Sequence, residues 1–199
     1  MTPPPRFPLA VVPTPLVHAP RLSAALDRDI WIKRDDLTGF AVGGNKVRAL
    51  EVLVAEALDQ RCDHVVGCGG PGSNLLSALA AAAATAGLGC TVVLYGSEPA
   101  VMPPNLAMMR AFGARIRFTG DPDRASTPEH AVETARRLRS RGRHPYVVPR
   151  GGASGPAADA LEAAGLMTRA EAEAAVLDPI APGDTAAVRA VLGRLQGDG

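Results

Sequence analysis

Between residues 46 and 148, short apolar runs alternate with segments of helical period, and this alternation restricts the fold more than any other feature of the chain. Apolar residues at 47, 50, 54, 57 and 58 keep helical spacing to about Gln60. His64–Gly67 has the look of a short buried strand, Gly69–Gly72 of a tight loop, and Ser73–Thr85 of an alanine-dominated helix. The pattern repeats with a strand at Thr91–Tyr95, a helix at Asn105–Phe112 closed by Gly113, and a strand at Arg115–Phe118. A helix at Pro128–Ser140 and a strand at Tyr146–Val148 follow. Connections this short, always strand to helix to strand, require a parallel sheet covered on both faces. Aromatic residues are only 4% of the chain, so the core has to be built from Ala, Val and Leu.

The flanks read differently. Pro3–Pro20 is punctuated by prolines and predicted as an extended strap; Ile30–Lys33 is a strand leading into a polar turn at Arg34–Asp36. Beyond Arg150, Gly151–Gly155 is predicted as a flexible loop, 156–177 as helical and Thr185–Leu195 as one more helix, with no strand after residue 148. The chain therefore divides into residues 1–45, a compact α/β unit at 46–150, and a helical part at 151–199.

Charge and cysteine content narrow the function classes. The 21 basic and 20 acidic residues are interspersed, which argues against nucleic acid or a membrane surface as partner. Cys62, Cys68 and Cys90 lack metal-ligand spacing and are expected to be free thiols. The Met1–Pro15 stretch has no signal-peptide core and Ala78–Ala86 is too short to span a bilayer, so a soluble cytoplasmic protein is expected.

Two glycine-rich helix starts carry the chemistry. At Gly43, Gly44, Asn45 and Lys46 the glycines allow close approach of a ligand, and Asn45 is placed to cap the helix. Lys46 then lies in the first turn, where the positive end of the helix dipole disfavours an ammonium. A lysine with a weakened hold on its proton suits attack on an aldehyde; an ordinary surface lysine is the alternative. At the second start, Gly67, Gly69 and Gly72 match G-x-G-x-x-G, with Glu98 placed as a ribose-binding acid, so a dinucleotide site stays open. Pro71 removes an amide from that loop. Ser73 and Asn74, at the helix N-terminus, could instead hold a carboxylate and a ring oxygen, or one of them could simply cap the helix.

Taken together, Trp31–Gly39 (WIKRDDLTG), Gly43–Glu51 (GGNKVRALE) and Gly69–Asn74 (GGPGSN) resemble one family. It is the D-cysteine desulfhydrase and 1-aminocyclopropane-1-carboxylate (ACC) deaminase group of fold-type II pyridoxal-phosphate (PLP) enzymes. Asn105–Leu106, Phe112–Arg117 (FGARIR) and Tyr146–Gly152 (YVVPRGG) continue the resemblance in order, over about residues 6–155. It implies a three-layer αβα parallel sheet as the small domain at 46–150, a strap and strand at 1–45 belonging to the large domain, and a remnant of an incomplete second domain at 151–199. It further implies PLP as cofactor, with Lys46 holding its aldehyde, Asn45 and Asn74 contacting it, and Gly72, Ser73 and Asn74 binding the substrate. Lys46 and Ser73 become the catalytic pair. The implied reaction is a lyase or deaminase step on a small amino acid such as D-cysteine or ACC, releasing a keto acid and ammonia.

The chain also departs from the family. No Ser/Thr/Gly-rich phosphate loop follows residue 155. Val176–Asp184 (VLDPIAPGD) resembles a late family stretch, but Ala181 stands where the family has a tyrosine and Asp184 where it has a lysine. A degenerate relative, acting as a partner subunit or surviving as a gene remnant, is therefore the alternative to an active enzyme. The resemblance implies further βα units of the large domain after the Gly151–Gly155 loop, and their absence would bare apolar surface, for which a homo-oligomer, a dimer, is expected.

Overall fold

The computed structural model describes residues 5–152. Its elements run in chain order β1 (Leu16–His18), α1 (Pro20–Leu26), β2 (Trp31–Lys33), α2 (Lys46–Asp59), β3 (His64–Gly69) and α3 (Asn74–Thr85). β4 (Gly89–Leu94), α4 (Pro104–Ala111), β5 (Arg115–Phe118), α5 (Thr127–Arg139) and β6 (Pro145–Val147) follow. Four strands form a parallel sheet in the order β5-β4-β3-β6, with Val66 level with Thr91 on one side and Val147 on the other. The two central strands, β3 and β4, are buried along most of their length, which explains their apolar runs, whereas the edge strand β5 carries Arg115 and Arg117.

Side chains of period two separate the layers. Val65, Val92 and Leu94 join Leu50 and Leu53 of α2, Leu76 and Leu79 of α3, and Leu106 and Met109 of α4 in one core. Val66, Cys68 and Val93 point the other way, onto Ala131, Ala135 and Leu138 of α5. The αβα expectation holds. α3 is buried all round because α2, α4 and the sheet enclose it, and alanines at 78 and 80–83 let those neighbours come close. Gly67 marks the closest approach: a Cβ there would meet Leu79 Cδ2 at 2.6 Å and Leu76 Cδ2 at 2.8 Å.

The strap contains more structure than its prolines predict. Leu16–His18 pairs antiparallel with Trp31–Lys33, and the seven residues of α1 bridge them, opened by Pro20 and closed by Asp27 in the left-handed region. A three-residue ladder has too short a pattern to stand out from its surroundings; only the partner strand defines it. This small sheet leaves Leu16, Val17, Trp31 and Ile32 exposed.

Two buried polar networks fasten the strap to α2. The Glu51 carboxylate accepts from the amides of Leu9 (2.9 Å) and Ala10 (2.8 Å), and its backbone carbonyl accepts from Phe7. Asp35 and Arg48 form a bidentate pair, both bonds 2.8 Å, with the Thr14 hydroxyl bridging to each. Burial pushes the Asp35 carboxyl up, but the hydrogen bonds from Arg48 and Thr14 outweigh it and leave the group below the ordinary carboxylate range.

All three cysteines are free and buried. No described helix is long and apolar enough to cross a membrane. The helices predicted at 156–177 and 185–195, the loop beyond Gly152, Ala181 and Asp184 lie outside the described residues.

Candidate active site

A cleft of about 970 Å³ opens at the carboxyl ends of the parallel strands, walled by Gly43–Lys46 on one side and Gly69–Asn74 on another. The two helix starts singled out in the sequence thus meet in one cavity.

The first is set by a tight turn on Asp35. Gly44 donates its amide to the Asp35 carbonyl at 2.8 Å, and Gly43 has φ +67° with the Asp36 carbonyl oxygen 2.9 Å from where a Cβ would be. Both the dihedral and the space demand glycine at 43. The capping role expected of Asn45 is not realised. Its φ and ψ are already helical (−61°, −23°) and its side chain makes no capping bond, because the turn carries the chain into the helix one residue early. Bonds of the three-residue type from the Val47 amide to the Gly44 carbonyl (3.3 Å) and from the Arg48 amide to that of Asn45 (3.2 Å) close this turn instead. Asn45 is exposed and lines the cleft.

Lys46 is half-buried, and its Nζ donates to the Gly151 carbonyl at 3.2 Å. Among the described residues no carboxylate pairs with it. Its hold on the proton is weakened, as the sequence led one to expect, but the cause is burial and not chiefly the helix dipole. An amine so placed spends more time neutral at a given pH, the form that attacks a carbonyl carbon.

At the second start Ser73 is the N-cap of α3, its Oγ accepting from the Leu76 amide at 3.4 Å. That bond is long, and the hydroxyl still lines the cleft. Asn74 is held by a residue the sequence reading did not place in the site. Asn105 Nδ2 donates to Asn74 Oδ1 at 2.8 Å and to the Gly72 carbonyl at 2.6 Å. With its oxygen engaged, Asn74 keeps its NH2 end as the available donor, suited to an acceptor oxygen on a ligand. Asn105 was visible only as part of a family motif; its spacing of 31 residues from Asn74 offers no local signal.

Three of the four glycines in the Gly67–Gly72 stretch have packing reasons. Gly67 clears Leu76 and Leu79, Gly69 lies against Leu76, and a Cβ on Gly70 would strike the Tyr95 ring at 2.8 Å. Glu98 is engaged by Arg110 at 2.6 Å. Packing thus accounts for Gly67 and Gly69 of the motif, while Gly72 faces open space. Cys68 reaches the cleft as a thiol, pushed up by burial. Arg124 and Arg150 also line the cleft, and neither guanidinium pairs with a carboxylate among the described residues.

The lining fits an anionic aromatic aldehyde. It offers an unpaired, desolvated amine, an amide donor at Asn74, a flat ring at Tyr95, and the open backbone of Gly44 and Gly72, where a Cβ would meet nothing within 4 Å.

Comparison with known proteins agrees. Residues 8–183 match the family model described as pyridoxal-phosphate dependent enzyme. A D-cysteine desulfhydrase of Salmonella paratyphi B is 40% identical over 156 residues, covering 75% of this chain and 47% of that protein. A crystal structure of an ACC deaminase homologue superimposes with a TM-score of 0.75 at 34% identity, covering 89% of this chain and 52% of the other. An L-serine ammonia-lyase from Rhizomucor miehei, at 20% identity and a TM-score of 0.60, shares the fold over 76% of this chain and 44% of its own. The chain spans about half the length of the curated relatives it matches.

Proposed function

The chain belongs to the family of pyridoxal-phosphate dependent enzymes, and from that premise we propose that it is a lyase or deaminase acting on a small amino acid, of the D-cysteine desulfhydrase or ACC deaminase type. The observation that carries this reading is the half-buried Lys46 amine, free of any described carboxylate, in one cleft with Ser73 and Asn74. Lys46 is the residue that holds the cofactor through its aldehyde. Asn74, fixed by Asn105, donates from its NH2 end to a ring oxygen. Gly72, Ser73 and the first amides of α3 receive the substrate carboxylate, which the positive end of that helix favours. Ser73 is the group placed to move a proton near the substrate. When bound, the cofactor would supply an electron sink for the bond that breaks; one water is consumed and a keto acid and ammonia leave, with sulfide as a third product when D-cysteine is the substrate. We read 46–150 as the small domain of this family and the flanking stretches as belonging to the large one.

A second reading, a catalytically silent relative, draws on Ala181 and Asp184, which replace a tyrosine and a lysine of the family pattern. Titration with PLP tests the premise of the first. The wild-type chain should develop a visible absorption band that Lys46→Ala abolishes, and identical spectra for the two would refute it. With the band present, keto acid released from D-cysteine or ACC, and lost in Ser73→Ala, supports catalysis. A band without any product supports the silent relative.

A further inference from the structure

The opposite end of the sheet from the cleft holds a second concentration of polar chemistry. Two adjoining hollows, of about 240 and 430 Å³, lie where β3, β4 and β5 begin, and they share Arg115, Leu138 and Arg141. Arg117 and Arg137 line one and Arg143 the other, so five arginines from a strand, a helix and a loop border this end of the sheet.

Their counter-charges are few. Glu133 takes Arg137 at 2.8 Å but also Arg136, and Asp63 takes Arg143 at 2.9 Å. Among the described residues Arg117 donates only to the Thr134 hydroxyl, at 3.1 Å. Among the described residues, Arg115 and Arg141 make no side-chain hydrogen bond and no ion pair. Favourable interaction with the helix dipole accounts for arginines in the last turn of α5, but not for Arg115 and Arg117 on a strand. The field of the group extends inward. His64, buried with its Nε2 2.9 Å from the Thr91 hydroxyl, is pushed down first by burial and then by Arg143 and Arg115, against an opposing pull from Asp63.

We propose that this hollow binds a small multivalent oxyanion, a phosphate or pyrophosphate group, either free or carried on a metabolite. Arginines supplied by three different elements suit a tetrahedral oxyanion, because each guanidinium can offer paired N–H donors. A nucleic acid is a poorer occupant, because the chain's formal charge is only +1 and the cations are gathered at one hollow instead of along a track. The site is separate from the proposed cofactor cleft and does not depend on that assignment.

Calorimetric titration of the full chain with sodium pyrophosphate, orthophosphate and glycerol 3-phosphate at constant ionic strength tests this. Saturable binding is expected, weakened about tenfold or more by Arg115→Ala with Arg141→Ala. Both residues are exposed, so this variant should melt with the wild type. Lysine at both positions should recover part of the affinity by restoring charge without the fork. Lys46→Ala and the remote Arg28→Ala should bind as wild type. Preference for orthophosphate or pyrophosphate over glycerol 3-phosphate supports a free ion; the reverse supports a phosphorylated metabolite. The proposal is overturned if no saturable binding occurs, or if Lys46→Ala abolishes it while the double arginine variant keeps it. It is overturned equally if Arg28→Ala weakens it as much, or if a single-stranded oligonucleotide displaces pyrophosphate at equal phosphate concentration.

Discussion

Replacing Asp35 by asparagine should unfold the start of the site along with the strap. Asp35 receives two bonds from Arg48 and one from Thr14, while its backbone carbonyl anchors Gly44, so one residue ties together the strap, the Gly43–Gly44 turn and α2. Its side chain and that of Arg48 are 8% and 5% exposed, so the guanidinium left behind could not turn to water. Removing one partner of a buried pair costs about 3–5 kcal/mol. For a chain of this size that lowers Tm by about 6–20 °C, at about 2–4 °C per kcal/mol. Thermal unfolding followed by circular dichroism at neutral pH reads this directly. The double variant Asp35→Leu with Arg48→Met should be more stable than Asp35→Asn, because it removes both charges instead of stranding one. The acid side adds an independent reading. The folded-state carboxyl is below its ordinary value, so its contribution is complete above about pH 4 and disappears as pH falls through the folded-state value. Wild type should lose stability in that window more steeply than the double variant. A drop of under about 1 kcal/mol for Asp35→Asn, or a double variant no better than the single, would show that the pair is not the anchor described here.

Lys46→Met should raise stability at neutral pH by an amount within about 1 kcal/mol, since it removes a desolvated ammonium without an acidic partner. Because the folded-state lysine is below its ordinary value, the unfolded chain binds more protons in between, and wild type should close the gap as pH rises toward about 10.4; a gap that widens with pH contradicts the burial assigned to Lys46. Asn105→Ala should leave Tm within about 2 °C of wild type, as expected for a half-buried side chain whose two hydrogen bonds lie at the surface. It should nonetheless weaken PLP binding several-fold by freeing Asn74, and unchanged affinity in a spectroscopic titration would refute that orienting role.

The sheet and its helices were legible because their signals are local. Val65, Val66, Val92 and Val93 form unbroken apolar runs, and the residues at 47, 50, 54 and 57 repeat at helical spacing within one element. What escaped reading depends on partners far along the chain. Leu16–His18 becomes a strand only opposite Trp31–Lys33. Gly67 looked like part of a ligand loop until Leu76 and Leu79 were seen above it. Asn45 carried the right side chain for a cap, yet the Asp35 carbonyl draws the preceding glycines into a turn that makes the cap unnecessary. In the cleft, Lys46, Ser73 and Asn74 were visible as helix starts, whereas Asn105 and Arg150 were visible only inside family stretches without a site role, and Arg124 comes from a segment with no motif of its own.

The grip of Glu51 on Leu9 and Ala10 makes the first stretch of chain part of the cooperative unit, not an appendage. Glu51 is 4% exposed, so if a protease or a shortened amino terminus removed those amides, a buried carboxyl group would lose its two backbone donors in the second helix. That helix begins at Lys46, five residues away. Trimming at the amino terminus would therefore be felt at the amine, although the two are never in contact.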